Sequence, residues 1–88
     1  MLNSPAWYVY IVRCADQTLY TGIALDVVQR IEQHNAGKGA AYTRARRPVA
    51  LVHHETVPDR SAALRREAAT KRLPAAAKRI LAGVVDVS

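Results

Sequence analysis

The sequence predicts an α+β domain with the element order ββαβαα, and three observations predict it. Two runs rich in β-branched and aromatic residues, 7–14 and 18–24, flank a three-residue polar break. Two later segments open on capping residues, Asp26 and Asp59. A third β-rich run, 49–57, lies between those two segments.

The first two runs read as antiparallel strands joined at Ala15-Asp16-Gln17. Side chains alternate faces along a strand, which places Tyr8, Tyr10 and Val12 together. A three-residue turn pairs Val12 with Tyr20 and Tyr10 with Gly22, so Tyr10 and Tyr20 share a face as diagonal neighbours. A two-residue turn would separate the phenols, because a one-residue slip inverts the pattern. Phe would pack as well at either position, so two aligned phenols point to work done by their hydroxyl groups.

Asp26 caps a first helix that runs to about Ala36 and is stopped by Gly37. Its expected buried stripe is Ala24, Val27, Val28 and Ile31. Arg30 and His34, one turn apart, are expected on the helix surface at the border of that stripe. Residues 37–48 read as a basic loop with no clear period. Pro58-Asp59 opens a second helix reaching about Arg72, and Pro74 begins a short third one ending near Gly83.

Eighty-eight residues make one domain, 1–88, with its core at about 6–73 and a short terminal helix at 74–82. Half the residues are apolar and 23% are charged, a globular composition. The longest charge-free stretch, 1–12, is well short of the ~20 apolar residues a membrane helix needs. No basic-then-apolar leader opens the chain, and Cys14 has no second cysteine to bond with. A cytoplasmic, monomeric protein without membrane association is expected, with Cys14 as a small buried thiol.

The net charge of +6 is uneven: residues 1–44 hold four basic and three acidic side chains, residues 45–88 nine and four. Such an excess suits an anionic partner, nucleic acid above all, although a solubility surface explains it equally well. The acids form no DxD or DxE cluster, which argues against two-metal phosphoryl chemistry. Gly37-Lys38-Gly39 has neither the GxGxxG pattern nor the Lys-Ser/Thr of a P-loop. One Cys and three His at 34, 53 and 54 lack zinc-ligand spacing. His53 and His54 read as structural or surface residues. Glu67 lies beside the apolar face of the second helix, where a pair with Lys71 competes with a role as lone carboxylate ligand for Mg²⁺.

The ordered set Tyr8-x-Tyr10, Tyr20-x-Gly22, Arg30, His34, Glu67 closely resembles the GIY-YIG nuclease family. The stretch 34–48 is similar to its small stand-alone bacterial branch, itself akin to the nuclease part of the eukaryotic enzyme that cuts branched DNA. The resemblance spans roughly Trp7 to Leu73. It implies a small three-stranded antiparallel sheet flanked by helices and a metal-dependent DNA endonuclease, with DNA repair or recombination as its setting. By position, Tyr10 and Tyr20 are the motif tyrosines, Arg30 the helix arginine, His34 the histidine one turn later, and Glu67 the ligand for one Mg²⁺ or Mn²⁺. Gly22 is a structural motif residue. The implied products carry a 5′-phosphate and a 3′-hydroxyl.

Either Tyr10 or His34 assists deprotonation of the attacking water in this picture. A phenol with a pKa near ~10 is the poorer base on intrinsic grounds. Lys38, Tyr42, Thr43, Arg44, Arg46 and Arg47 are expected to hold phosphates, with selection by shape or single-strandedness because such contacts carry no sequence information. Many family members have an active-site Asn after the glutamate, and residues 68–88 contain none. A catalytically idle nucleic-acid-binding module on the same fold is the competing expectation.

Overall fold

In the computed structural model, which describes residues 6–83, a three-stranded antiparallel sheet forms with strand order β2-β1-β3. The strands are β1 (Trp7–Arg13), β2 (Leu19–Ala24) and β3 (Ala50–Val57). The helices are α1 (Val27–Asn35), α2 (Ala41–Arg44), α3 (Arg60–Lys71) and α4 (Ala75–Leu81). The ends of the expected 1–88 domain, Asp86 among them, lie outside the described residues. Among the described residues no helix is long and apolar enough to cross a membrane.

The hairpin closes as its turn dictates. Cys14 N–H donates to the Thr18 carbonyl at 2.8 Å and Gln17 N–H to the Cys14 carbonyl at 2.9 Å. Gln17 takes the left-handed conformation (φ 71) that ends a three-residue loop. The resulting register sets Tyr10 opposite Gly22 and Val12 opposite Tyr20. Both phenols therefore share one face, as the three-residue turn requires.

That face carries the core: Tyr10, Val12, Cys14, Ala24 and Val49 are buried together, with Tyr20, Val27 and Ile31 packed against them. Val9 and Ile11, pointing the other way, are buried too, which accounts for the unbroken apolar run of the central strand. Helix α3 packs against β1 and β2. A register shift between Ile11 and Val12 interrupts the β1–β3 ladder.

Helices α1 and α3 start where expected. Asp26 accepts from Gln29 N–H at 3.0 Å and Asp59 from Ala62 N–H at 2.7 Å, each satisfying an otherwise orphaned donor. The Asn35 side chain then locks the end of α1 to the start of β3. Its amide donates to the Val49 carbonyl at 3.0 Å and its oxygen accepts from Val49 N–H at 2.7 Å.

Two expectations for this region are corrected. The basic loop contains the short helix α2, so the order is ββααβαα; four residues are too few for a period to show. Val28 is 69% exposed and does not belong to the buried stripe. The inward line is Val27, Ile31 and His34, at i, i+4 and i+7, and Val28 sits about 100° off it.

A second anchor joins β3 to α3. Arg66 donates from Nε and Nη2 to the two oxygens of Glu55, at 2.7 and 2.9 Å, and His53 Nε2 lies 2.7 Å from Oε2. Arg66 first, then His53, holds the Glu55 pKa down from 4.5 to about 2. An acid favoured in its charged form when folded contributes stability above pH 4.5, and that contribution fades as pH falls toward 2. Allowing for partial exposure, Glu55→Gln should cost about 1–2 kcal/mol at pH 7 and almost nothing at pH 2, measured by urea titration at both pH values. An equal cost at both would mean the carboxylate charge is not what anchors the pair.

Candidate active site

The site is built around a buried histidine. His34 is 0% exposed, which corrects its expected place on the surface of α1. Burial is tolerated because both ring nitrogens find partners. Nε2 lies 2.8 Å from the Tyr10 phenol oxygen and Nδ1 lies 2.7 Å from Thr43 Oγ1. The Thr43 hydroxyl donates its proton to the Ala40 carbonyl at 3.0 Å, so its oxygen accepts from His34 Nδ1–H. Nε2 is then left as a bare acceptor, and the Tyr10 O–H points at it.

Two glycines make this possible. A Cβ on Gly22 would meet the Tyr10 ring at 2.5 Å from Cζ, in addition to its oxygen. A Cβ on Gly39 would meet the His34 ring at 2.8 Å from Cγ and Cε1. Gly22 thus has a steric reason to follow Tyr20 by two residues: it is the floor on which the opposite phenol rests. Gly39 plays the same part beneath the imidazole, and it was not singled out from the sequence.

Charge tunes the pair. Burial pushes the Tyr10 phenol above its ordinary value of 10.0, against the hydrogen bonding and positive charge of Arg30 beside it; the Tyr20 and Glu67 charges add to the rise. Burial, then the Arg30 charge, lowers the His34 pKa below 6.5. At neutral pH the site therefore holds a neutral phenol donating to a neutral imidazole. Arg30 is itself steadied by Gln33, whose Oε1 accepts from Nη1 at 3.1 Å.

Tyr20 completes the wall. Its ring meets His34 edge-on at 5.6 Å and stacks on Tyr42 at 5.9 Å with planes 22° apart. Glu67, from α3, has a side chain only 20% exposed and pairs with Lys71 at 3.5 Å, so the expected helix pair is present. Its charge adds to the rise of the Tyr10 pKa. Among the described residues no three His, Cys, Asp or Glu side chains gather to hold a metal ion. One carboxylate does fit an ion such as Mg²⁺, which keeps several waters and takes the rest of its oxygens from substrate phosphate.

Tyr10, Tyr20, Arg30 and His34 are thus neighbours from three elements, β1, β2 and α1, while Glu67 lies on α3, the helix that packs against β1 and β2. The expected phosphate-binding set divides instead. Lys38 and Arg44 are exposed. Arg47 donates to the carbonyls of Arg44 and Asn35, at 3.0 and 3.4 Å, and Arg46 bonds Asp16 and the Tyr42 carbonyl. Thr43 is fully buried against His34 and faces no solvent, which removes it from any external phosphate surface. A threonine in a run of arginines carries no sequence signal for such a role.

The fold agrees with known proteins. The GIY-YIG catalytic domain profile matches residues 6–79. A UPF0213 protein of Desulfotalea psychrophila is 59% identical over 80 residues, covering 90% of this chain and 73% of its own. Another, of Haloquadratum walsbyi, is 62% identical over 60 residues, covering 68% of this chain and 67% of its own. The solution structure of a Bacillus halodurans UPF0213 protein superposes with a TM-score of 0.57 at 42% identity, over 90% of this chain and 84% of that one. With its phenol pair on this sheet and its arginine and glutamate on the flanking helices, the chain belongs to the small stand-alone GIY-YIG family and carries that family's catalytic domain.

Proposed function

We propose that the protein is a divalent-metal-dependent endonuclease that hydrolyses DNA phosphodiester bonds, selecting branched or single-stranded structure rather than sequence. The observation that carries this reading is the Tyr10–His34 hydrogen bond, 2.8 Å long, with Arg30 acting on the same phenol. It supplies a proton acceptor where a phenol alone would be a weak base.

In this mechanism a water attacks the scissile phosphorus while giving a proton to the Tyr10 oxygen. The phenol proton passes to His34 Nε2 as the phosphorus–O3′ bond breaks, and the departing 3′ oxygen takes up a proton from solvent to become the 3′-hydroxyl. The imidazolium stays bonded through Nδ1–H to Thr43, which holds the accepting tautomer in place beforehand. Tyr10 has no exposed surface, and Gly22, His34 and Arg30 surround its oxygen. Arg30 then stabilises charge on the phosphoryl group, and Tyr20 orients water or phosphate. Glu67 would hold the Mg²⁺ or Mn²⁺ ion, whose chemistry there is Lewis-acid polarisation of the phosphoryl oxygens. Exposed Lys38 and Arg44 steer the backbone.

The test is cleavage of forked, flapped and single-stranded oligonucleotides with Mg²⁺, comparing wild type with Glu67→Gln. The variant should lose about 10³-fold or more in rate while binding DNA normally without metal, since a lost ion removes several kcal/mol of transition-state stabilisation. Stability should change little, an i,i+4 pair with its lysine half exposed being worth about 0.3–0.5 kcal/mol. Equal cleavage by both proteins would assign the activity to a contaminant and favour an idle binding module.

The pH profile gives an independent check. Neutral His34 is the working form, and its pKa lies below 6.5, so the acid limb of the cleavage rate should have its midpoint below pH 6.5. The same group makes folding stability fall as pH drops below ~6.5, because the unfolded chain binds a proton that the folded chain excludes. A midpoint above 6.5 would mean that the folded protein favours the charged imidazole, contrary to a buried neutral pair.

A further inference from the structure

Two members of the basic segment are occupied in a way that phosphate binding does not explain. The Arg46 guanidinium lies 3.8 Å from the centre of the Tyr42 ring, and Tyr42 stacks on Tyr20. Arg46 Nε donates to Asp16 at 3.0 Å and Nη1 to the Tyr42 carbonyl at 2.9 Å. Backbone joins the same parts, since Ala15 N–H donates to the Arg46 carbonyl at 2.9 Å. Asp16 is fixed in turn by Thr18, which donates from its N–H at 3.1 Å and from its hydroxyl at 2.5 Å. A continuous chain of contacts therefore runs from the hairpin turn through Arg46 and Tyr42 to Tyr20, and from Tyr20 to His34.

An aromatic ring covered by one guanidinium and stacked on another ring is a poor free platform for a nucleobase. An arginine with one donor on a carboxylate and another on a carbonyl has few left for a phosphate. The arrangement suits a different task. Tyr20 is only half-buried at the end of an edge strand, packed against the core but not enclosed by it. A cation–aromatic contact and a ring stack, each worth about 0.5–1.5 kcal/mol, are enough to favour one ring orientation over its alternatives.

We infer that Tyr42 and Arg46 are positioning residues that hold the Tyr20 ring in the catalytic site, rather than nucleic-acid contacts. The inference rests on the nuclease reading for its effect on rate, but not for its effect on the ring. Misplacement by about 1 Å can cost about 10²-fold, so Tyr42→Leu should lower the single-turnover cleavage rate by about 10- to 100-fold. Arg46→Gln should act in the same direction by about tenfold, and the conservative Tyr42→Phe, which keeps the ring, should restore the rate to within about threefold of wild type.

The decisive comparison measures cleavage of one forked oligonucleotide at saturating protein together with DNA affinity across a salt series. Positioning predicts a slower rate with unchanged Kd and unchanged salt slope. A reduced salt slope and weaker binding, with the saturated rate intact, would make these residues phosphate or base contacts and overturn the inference. A rate unchanged in both Tyr42→Leu and Arg46→Gln would overturn it as well. A second measurement does not depend on activity: in protein labelled at tyrosine rings, Tyr42→Leu should change the Tyr20 ring resonances and speed its ring flipping, while Tyr42→Phe should not. If wild type cleaves nothing, the nuclease reading fails, and the ring measurement alone decides whether Tyr42 holds Tyr20; an undisturbed Tyr20 would sink the claim.

Discussion

Tyr10→Phe should abolish cleavage while leaving DNA binding in place. The substitution removes one oxygen, and with it both the acceptor for the water proton and the donor to His34. General acid–base catalysis contributes about 10²–10⁴-fold, so a rate loss in that range is expected from single-turnover measurements with Mg²⁺. The acid limb assigned to His34 should also disappear, because protonating an imidazole that no longer takes part changes nothing.

Considered from sequence alone, the same substitution should spare folding; the structure changes that expectation. The lost hydroxyl is the partner of a fully buried ring nitrogen. An orphaned buried acceptor costs about 1–3 kcal/mol, and in a domain of this size each kcal/mol lowers Tm by about 4–8 °C. Normal cleavage by Tyr10→Phe would remove Tyr10 from the chemistry outright. Lost cleavage with an unaltered Tm would mean that water already satisfies His34.

The second large effect is expected at a residue with no side chain. Gly22→Ala would drive a methyl group into the Tyr10 ring, 2.5 Å from Cζ and 2.9 Å from Cε2. The ring is buried on the central strand and has no free direction to retreat, so the strain should cost about 1–3 kcal/mol. Its only escape is away from Gly22, which carries the phenol oxygen off His34 and lowers the rate by about 10- to 100-fold. The cycle with Tyr10→Phe separates this from general damage: with the oxygen gone, the cost of Gly22→Ala in stability should shrink measurably. Strict additivity, read from urea midpoints of the four proteins, would show that the methyl group and the phenol do not meet.

Much of this site was legible before any coordinates, and the reasons are local. The phenol pair follows from strand alternation and the length of one turn, both confined to fifteen residues. The first helix is announced by Asp26, and its arginine follows four residues later. The family resemblance then assigns Glu67 to the same centre. What misled was the treatment of polar residues as surface residues. His34 was set at the edge of an apolar stripe that wrongly included Val28, and Thr43 was grouped with its arginine neighbours.

The sequence by itself determined the hairpin register and both carboxylate caps, because each depends on periodicity and capping within a few turns of chain. Only the tertiary structure decided that His34 lies inside, that Thr43 fixes its tautomer, and that Tyr42 and Arg46 brace Tyr20. Those outcomes depend on partners 24 and 9 residues from His34 along the chain, and 30 residues apart for Arg46 and Asp16. A polar group is buried only when such partners arrive to satisfy it, and no local pattern records their arrival.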